Sequence, residues 1–249
     1  MSAPVLLVIA HGSRDPRHAA TVHALVREAG SLRPGLRVET AFLDFNLPSV
    51  PGVLDRLAAE GVRDVVALPL LLTRAFHAKA DIPAVLRQAP AGLRIRQAEV
   101  LGPSPLLVAA VQRRLFEAGL TPADTSTTGV VLASAGSTDP EAIAAIAETA
   151  RELRRTGWCS VRPAFASASL PRTEDAVRAM RADGVRRVAV APYVIAPGRL
   201  PDRIAAGAAD ADVLADVLGP SPELARLLVD RYEECRASAG KRLTTRAAG

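Results

Sequence analysis

The chain contains an internal repeat, and this repeat constrains its architecture more than any other feature of the sequence. Four segments of the first half recur in the same order and at nearly constant spacing in the second half. The matching pairs are Ala10–Pro16 with Ser134–Pro140, Ala41–Phe42 with Ala164–Phe165, Gly61–Arg63 with Gly184–Arg186, and Leu101–Pro105 with Leu218–Pro222. Ordered matches of this kind predict two similar domains that arose by duplication and face each other across a cleft.

Each repeat alternates predicted strands with predicted helices. The first repeat opens on Val5–Ala10, an unbroken aliphatic run that ends at His11 and Gly12. Such a run is typical of a strand buried on both faces of a parallel sheet. A helical stripe follows over His18–Leu32, and the alternation continues to the end of the repeat. Within it, Asp81 and Pro83 are predicted to open a helix, with Asp81 near the N-cap and Pro83 in the first turn. The sequence therefore predicts an α/β fold, in which each domain is a parallel sheet with helices on both faces.

The predicted domain boundaries follow the repeat. We place the first domain at residues 1–120 and the second at residues 129–236. Residues 121–128 are rich in Asp, Ser and Thr and are predicted to be a linker. Residues 237–249 are small, polar and basic, and we expect them to form a flexible tail.

Composition excludes several classes of function. The net charge is +5, but aromatic residues make up only 3% of the chain and no basic block lies beside them, so we expect no binding to nucleic acid. No apolar run approaches the roughly 20 residues of a membrane-spanning helix. The amino terminus lacks the basic start of a signal peptide, which favours a cytoplasmic protein. Cys159 and Cys235 then fit reduced thiols better than a disulfide framework, and their spacing fits no metal site.

Three polar residues follow three different predicted strands of the first repeat: His11, Asp44 and His77. The second repeat has Ala135 and Ser167 at the first two positions, and the loop 197–201 in place of the third. Residues needed only for the fold should have been kept in both copies. Because the carboxyl ends of parallel strands share one edge of a sheet, the pattern predicts one site, in the first repeat, built from these three residues.

Two imidazoles and a carboxylate suit a divalent first-row metal ion better than Mg²⁺ or Ca²⁺. The same three groups could instead transfer protons, because histidine titrates near neutral pH. Taken singly, His77 could be an ordinary loop residue and Asp44 the start of an Asx turn. His18 and His23 lie five apart on the first helix and are assigned no role.

Other chemistries find no support in the sequence. A phosphate-binding Gly-rich loop of the Walker or dinucleotide type is missing, so no nucleotide cofactor is expected. Ser13 lies only two residues after His11 and lacks the Gly-x-Ser-x-Gly elbow, which argues against a Ser-His-Asp hydrolase.

Four segments carry a family resemblance: Ala10–Pro16, Phe42–Ser49, Pro69–Pro83 and Leu101–Pro103. In combination they resemble the sirohydrochlorin chelatases of the CbiX/SirB type, which are class II tetrapyrrole chelatases. The resemblance implies two ferrochelatase-like lobes and a lyase that inserts Fe²⁺ or Co²⁺ into sirohydrochlorin for sirohaem or cobalamin biosynthesis. The metal is then a substrate, and no cofactor is tightly bound. His11 and His77 would bind metal or accept pyrrole protons, with Asp44 beside them, where many relatives carry Glu.

The chemistry of the residues is compatible with this activity. Metal insertion removes two N–H protons from the tetrapyrrole, so the site needs a base and an open, weak metal site. Neutral imidazole serves both purposes, whereas a closed site of four ligands would trap the metal. A cleft that bends the macrocycle out of plane could add rate through strain.

Sirohydrochlorin is a polycarboxylate, which gives the excess of basic residues a predicted use. The backbone N–H groups that follow Gly12 open a helix and could receive an anion. The predicted substrate contacts are Ser13, Arg14, Arg74 and Lys79 in the first repeat, and Arg199 and Arg203 in the second.

Two alternatives to the enzyme stay open. One is a protein that binds or delivers divalent metal or tetrapyrrole without turnover, and the other is a structural α/β module whose histidines are incidental. Iron and cobalt have similar ligand preferences, so both stay open as the metal. An internal duplication can replace a dimer of single domains, which is compatible with a monomer.

Overall fold

The structure, a computed structural model, describes residues 3–247, and for residues 239–247 only the backbone. The strands are β1 Val5–Ala10, β2 Val38–Phe42, β3 Asp64–Pro69, β4 Arg94–Gln97, β5 Thr128–Ser134, β6 Ser160–Phe165, β7 Arg187–Tyr193 and β8 Val213–Leu214. The helices are α1 Pro16–Leu32, α2 Val50–Ala59, α3 Ile82–Leu86, α4 Pro105–Glu117, α5 Pro140–Arg155, α6 Thr173–Ala182, α7 Arg199–Gly207 and α8 Pro222–Ala247. A π-helical turn, His77–Asp81, leads into α3.

The strands form two parallel sheets with the same strand order. The first sheet has the order β2-β1-β3-β4, and the second has the equivalent order β6-β5-β7-β8. All pairings are parallel. The predicted α/β class and the predicted duplication are therefore confirmed.

The central strands are buried along their whole length. Every residue of β1 and of β5 is buried, because helices cover both faces of each sheet. The amphipathic helix α2 turns Val53, Leu54 and Leu57 toward the core of the first sheet. The core holds these strands in register, and it thereby fixes where their carboxyl ends lie.

The chain folds into two compact units that do not coincide with the two repeats. The first unit contains the residues up to Leu101 and those from Leu224 onward, and the second contains Gly102–Glu223. Helix α4 of the first repeat thus packs in the second unit, against β7 and α5. The predicted boundaries 1–120 and 129–236 describe the sequence repeats. In the structure, α4, the last helix of the first repeat, belongs to the second unit, and most of α8, the last helix of the second repeat, belongs to the first unit.

Helix α8 is held in the first unit by side chains that reach backbone carbonyls. The hydroxyl of Tyr232 donates to the carbonyl of Pro4 at 2.8 Å. The guanidinium of Arg231 donates to the carbonyls of Val100 and Leu101, at 2.9 and 3.0 Å. These bonds satisfy carbonyls at the ends of loops beside the first sheet.

The predicted tail is helical over most of its length. Helix α8 continues to Ala247, so residues 237–247 belong to it, and the last two residues of the chain lie outside the described part. Among the residues that the structure describes, no helix is long and apolar enough to cross a membrane. The predicted linker contains a 3-10 turn, Pro122–Asp124, and ends where β5 begins.

Candidate functional site

The site lies where three neighbouring strands of the first sheet end. Ala10 is paired with Phe42, and Ile9 with Pro69, so the loops after β1, β2 and β3 leave the sheet at the same edge. His11 is the first residue after β1 and is partly exposed. The pairing register therefore brings the loop of His11 beside the loops that carry the other candidate residues.

The loop after β1 and the loop after β2 are locked together by their backbones. The N–H of Asp44 donates to the carbonyl of His11 at 2.9 Å, which extends the β1–β2 pairing beyond the strands. Gly12 has a φ of +97°, and a Cβ at this position would lie 1.8 Å from the carbonyl oxygen of Asp44. Only glycine permits this approach, so Gly12 determines how closely the two loops meet.

The second repeat builds the same pair of loops with different side chains. Gly136 has a φ of +95°, and a Cβ there would lie 1.9 Å from the carbonyl oxygen of Ser167. Ala168 has the same φ of 61° as Phe45. The backbone of this edge is thus retained, while the second unit has Ala135 in place of His11. The imidazole is not required for the loop to form.

The structure brings His11 and His77 together. Their ring centroids are 4.6 Å apart, and the planes are inclined by 74°. His77 begins the π-helical turn that follows the loop after β3, and its side chain is 44% exposed. Two imidazoles from two different loops therefore share one solvent-accessible place at the sheet edge.

The carboxylate of Asp81, predicted to cap a helix, contacts one member of this pair. Asp81 Oδ2 lies 2.5 Å from His77 Nδ1, one helical turn away. In the neutral ring this acceptor keeps the proton on Nδ1 and leaves the lone pair of Nε2 free for a metal ion or a proton. The sequence predicted Asp81 to cap the helix, but its side chain makes no capping bond. The four-residue spacing from His77 was the signal that was missed.

Asp44 is not brought into a three-ligand group. Its Oδ1 accepts a hydrogen bond from the N–H of Phe45 at 2.8 Å, so the carboxylate stabilises its own exposed loop. Within the described part of the chain, no three side chains of His, Cys, Asp or Glu come together as a metal site. The pair His11 and His77 is assembled in the structure, and a role for Asp44 as a ligand stays a prediction.

At the start of α1, where an anion site was predicted, backbone N–H groups donate to side chains of the protein. The N–H of Ser13 donates to Asn46 Oδ1 at 2.7 Å, and the hydroxyl of Ser13 accepts from the N–H of Asp15 at 3.1 Å. Asp15 then caps the helix by accepting from the N–H of Arg17. Asn46 thus supplies the acceptor for the N–H of Ser13, and a role for Ser13 in binding a substrate carboxylate stays a prediction.

The basic residues predicted to contact the substrate differ in their exposure and in the groups they contact. The guanidinium carbon of Arg14 lies 5.3 Å from the ring centroid of Phe45, within cation–π range. Arg74 and Lys79 are exposed on the loop and turn that carry His77. Arg199 is exposed at the start of α7, and Arg203 donates to the carbonyl of Ala166 at 3.1 Å.

The two remaining histidines of the described chain lie on α1. His18 is half-buried, and burial lowers the pKa of its imidazole, with a smaller contribution from the charge of His11. His23 packs its ring edge against Phe42, with the centroids 5.6 Å apart. Both thus contribute to packing beside the site, and neither joins the pair of imidazoles.

Comparison with known proteins identifies relatives over almost the whole chain. The model of the CbiX family matches residues 5–118 and 129–235. A sirohydrochlorin cobaltochelatase of Priestia megaterium is 27% identical, over 92% of this chain and 79% of the relative. A sirohydrochlorin ferrochelatase of the same organism is 26% identical, over 94% of this chain and 91% of the relative.

Solved structures share the fold. SirB from Bacillus subtilis with Fe³⁺ superposes with a TM-score of 0.82 at 23% identity, covering 95% of this chain and 97% of the other. CbiX described as the terminal enzyme of sirohaem biosynthesis in denitrifying bacteria superposes with a TM-score of 0.70 at 19% identity, covering 92% and 98%. The duplicated α/β architecture is therefore shared over more than nine-tenths of each of these chains.

Proposed function

Because the chain belongs to the CbiX family, whose model matches both repeats, we propose that it is a sirohydrochlorin chelatase. It inserts Fe²⁺ or Co²⁺ into sirohydrochlorin, and it works at the edge of the first sheet. The chelatase names of relatives that align with more than nine-tenths of the chain support the reaction. Two further expectations from the sequence, a cytoplasmic location and a monomeric state, belong to this proposal.

The observation that carries the proposal is the pair of imidazoles, one of them tied to a carboxylate. Insertion exchanges two pyrrole protons for one M²⁺ ion, so the site must hold the ion briefly and take up two protons. His77 offers Nε2 because Asp81 occupies Nδ1. His11, whose ring centroid is 4.6 Å away, offers the second nitrogen base. The two rings match the two protons that leave the macrocycle.

The small number of ligands suits a metal that is a substrate. Two nitrogen ligands leave most coordination positions of Fe²⁺ or Co²⁺ open to the pyrrole nitrogens. A site with four protein ligands would hold the ion too tightly for transfer. The absence of a three-ligand group among the described residues is thus compatible with metal transfer.

The competing function is a carrier that binds metal or tetrapyrrole without turnover. Anaerobic mixtures of the protein, sirohydrochlorin and Fe²⁺ or Co²⁺ separate the two, when the loss of metal-free macrocycle absorbance is compared with the uncatalysed rate. We expect catalysis with many turnovers per protein molecule. A rate equal to that without protein, together with retained binding of metal or macrocycle, would establish the carrier instead.

We expect Asp81 to position His77 for this reaction. Replacing Asp81 with Ala should lower kcat by about tenfold to a hundredfold, because the free ring can turn its Nδ1–H toward the metal. The KM for sirohydrochlorin should change little, and Asp81→Asn should be less severe because the amide oxygen still accepts a hydrogen bond. Steady-state kinetics with both substrates measure the effect.

The matched control for this variant is Asp55→Asn, which removes an exposed carboxylate from α2. It should leave both kinetic constants unchanged. Should Asp81→Ala raise KM and keep kcat, the carboxylate would belong to substrate binding and not to the orientation of the imidazole.

We also expect Arg199 and Arg203 on α7 to bind substrate carboxylates. The double variant Arg199→Ala, Arg203→Ala should raise the KM for sirohydrochlorin about threefold to thirtyfold, as expected for lost charge-assisted hydrogen bonds, with little change in kcat. The control is Arg151→Ala, Arg155→Ala on α5, which removes the same charge from exposed side chains paired with Glu148 and Glu152. Equal KM values in the two double variants would exclude a specific role for α7.

A further inference from the structure

We propose that Phe45 and Phe76 bind the conjugated face of the tetrapyrrole beside the two imidazoles, and that Phe45 is held in a strained conformation for this purpose. This inference rests on the proposed chelatase function and deepens it, since it names side chains that orient the macrocycle. Four rings form the contact series Phe45, His11, His77 and Phe76.

The outer members of this series are phenylalanines that contact the imidazoles and remain open to solvent. The ring of Phe45 is stacked toward His11 at 6.2 Å with an inclination of 28°, and the ring of Phe76 meets His77 edge-on at 6.2 Å. Phe45 is 50% exposed and Phe76 is 65% exposed. Exposed aromatic rings next to polar catalytic groups are typical of a site that binds a flat, partly apolar ligand.

Phe45 occupies a backbone conformation that bulky residues rarely adopt. Its φ is 61°, in the left-handed region where a side chain destabilises the backbone. The loop enforces this conformation, because the N–H of Phe45 donates to Asp44 Oδ1 and the N–H of Asn46 donates to the carbonyl of Asp44. Strain of this kind, at a place where a smaller residue would suffice, points to a function of the ring.

The second unit shows that the loop does not need this ring. Ala168 has the same φ of 61°, and the N–H groups of Ser167 and Ser169 make the same backbone bonds as those of Asp44 and Asn46. The first unit thus combines an imidazole and an aromatic ring on a pair of loops that the second unit builds with two alanines, Ala135 and Ala168. The backbone conformation is common to both units, whereas the Phe45 ring and the His11 imidazole occur only in the first.

The charge beside Phe45 matches the edge of the proposed ligand. The guanidinium of Arg14 lies over the Phe45 ring, 5.3 Å from its centroid, and is itself exposed. A tetrapyrrole with carboxylates around its rim presents an apolar face and anionic edges. An aromatic ring with a cation beside it can bind both at once, and this complementarity favours the macrocycle over an apolar protein surface.

The test measures binding of metal-free sirohydrochlorin, through the quenching of its fluorescence, to the full chain and to Phe45→Ala and Phe76→Ala. We expect the Kd to rise about tenfold in each variant, as for the loss of one stacked ring. Phe45→Ala should fold normally, because Ala168 adopts the same conformation.

The matched control is Leu32→Ala, which removes a side chain that is 46% exposed at the far end of α1. It should bind the macrocycle as the wild type does. Wild-type affinity in both phenylalanine variants would overturn this inference and leave the chelatase function intact. Failure of the wild type to bind or metallate sirohydrochlorin would instead overturn the proposed function. Unchanged binding combined with lost self-association in sedimentation would assign the two rings to a contact between copies of the chain.

Discussion

Replacing His11 or His77 with Ala should lower the rate of metal insertion by about a hundredfold to ten-thousandfold, the usual range for the loss of a positioned base. The structure explains why neither ring can substitute for the other. His77 is oriented by Asp81, and His11 is carried by a different loop at the end of β1. Each variant leaves one imidazole, which can hold a metal ion weakly or take up one proton but cannot do both for two pyrrole nitrogens. Stopped-flow absorbance of sirohydrochlorin with Fe²⁺ and with Co²⁺ measures the loss.

The double variant provides a stronger test of the pair. If both rings act on the same metal ion, His11→Ala, His77→Ala should be no slower than the worse single variant, because either loss already disables the unit. Losses that multiply would indicate two independent steps and would contradict a shared site. The control is His23→Ala, which removes an imidazole that packs against Phe42 and lies outside the pair. It should retain wild-type kcat.

The strands and the edge at which they end could be predicted from the sequence because they depend on patterns that are local or repeated. The aliphatic run at Val5–Ala10 predicts a buried strand, and the register with β2 and β3 then places the following loops at one edge. The comparison of repeats singled out His11 and His77, since the second copy retains the strands and loses both rings. Duplication allowed this inference because it separates what the fold needs from what the chemistry needs.

The features that escaped prediction depend on contacts between segments. The helical conformation begins at His77, four residues before the predicted start, and no capping residue in the sequence marks a start there. Asp81 does precede α3 as predicted, but its carboxylate contacts His77 and makes no capping bond. The side chain of Asn46 reaches the N–H of Ser13 from a loop that is distant in sequence. The exchange of α4 and α8 between units is equally invisible, because the repeats are identical in the segment that leads into both helices.

The largest expected effect on stability comes from Gly12→Ala. The added Cβ would lie 1.8 Å from the carbonyl oxygen of Asp44, and the φ of +97° is itself unfavourable for alanine. Since that oxygen belongs to backbone, the loop after β2 must move by more than an ångström. We expect the free energy of unfolding to fall by about 4 kcal/mol or more, a size reached by few mechanisms, among them overpacking and strain at a special φ. Chemical denaturation monitored by circular dichroism measures it.

Two further glycine variants separate the cost of the positive φ from the cost of the Cβ clash. Gly35→Ala has a similar φ of +85° with no atom within 4 Å of the added Cβ, so it should cost only the conformational strain, about 1 kcal/mol. Gly136→Ala meets the carbonyl of Ser167 at 1.9 Å in the second unit and should destabilise as much as Gly12→Ala. It should nevertheless keep a far larger share of the chelatase activity per folded molecule, because it leaves the loops of His11 and Phe45 in place. Equal loss of activity in Gly12→Ala and Gly136→Ala would mean that the edge of the first sheet is not where the metal is inserted.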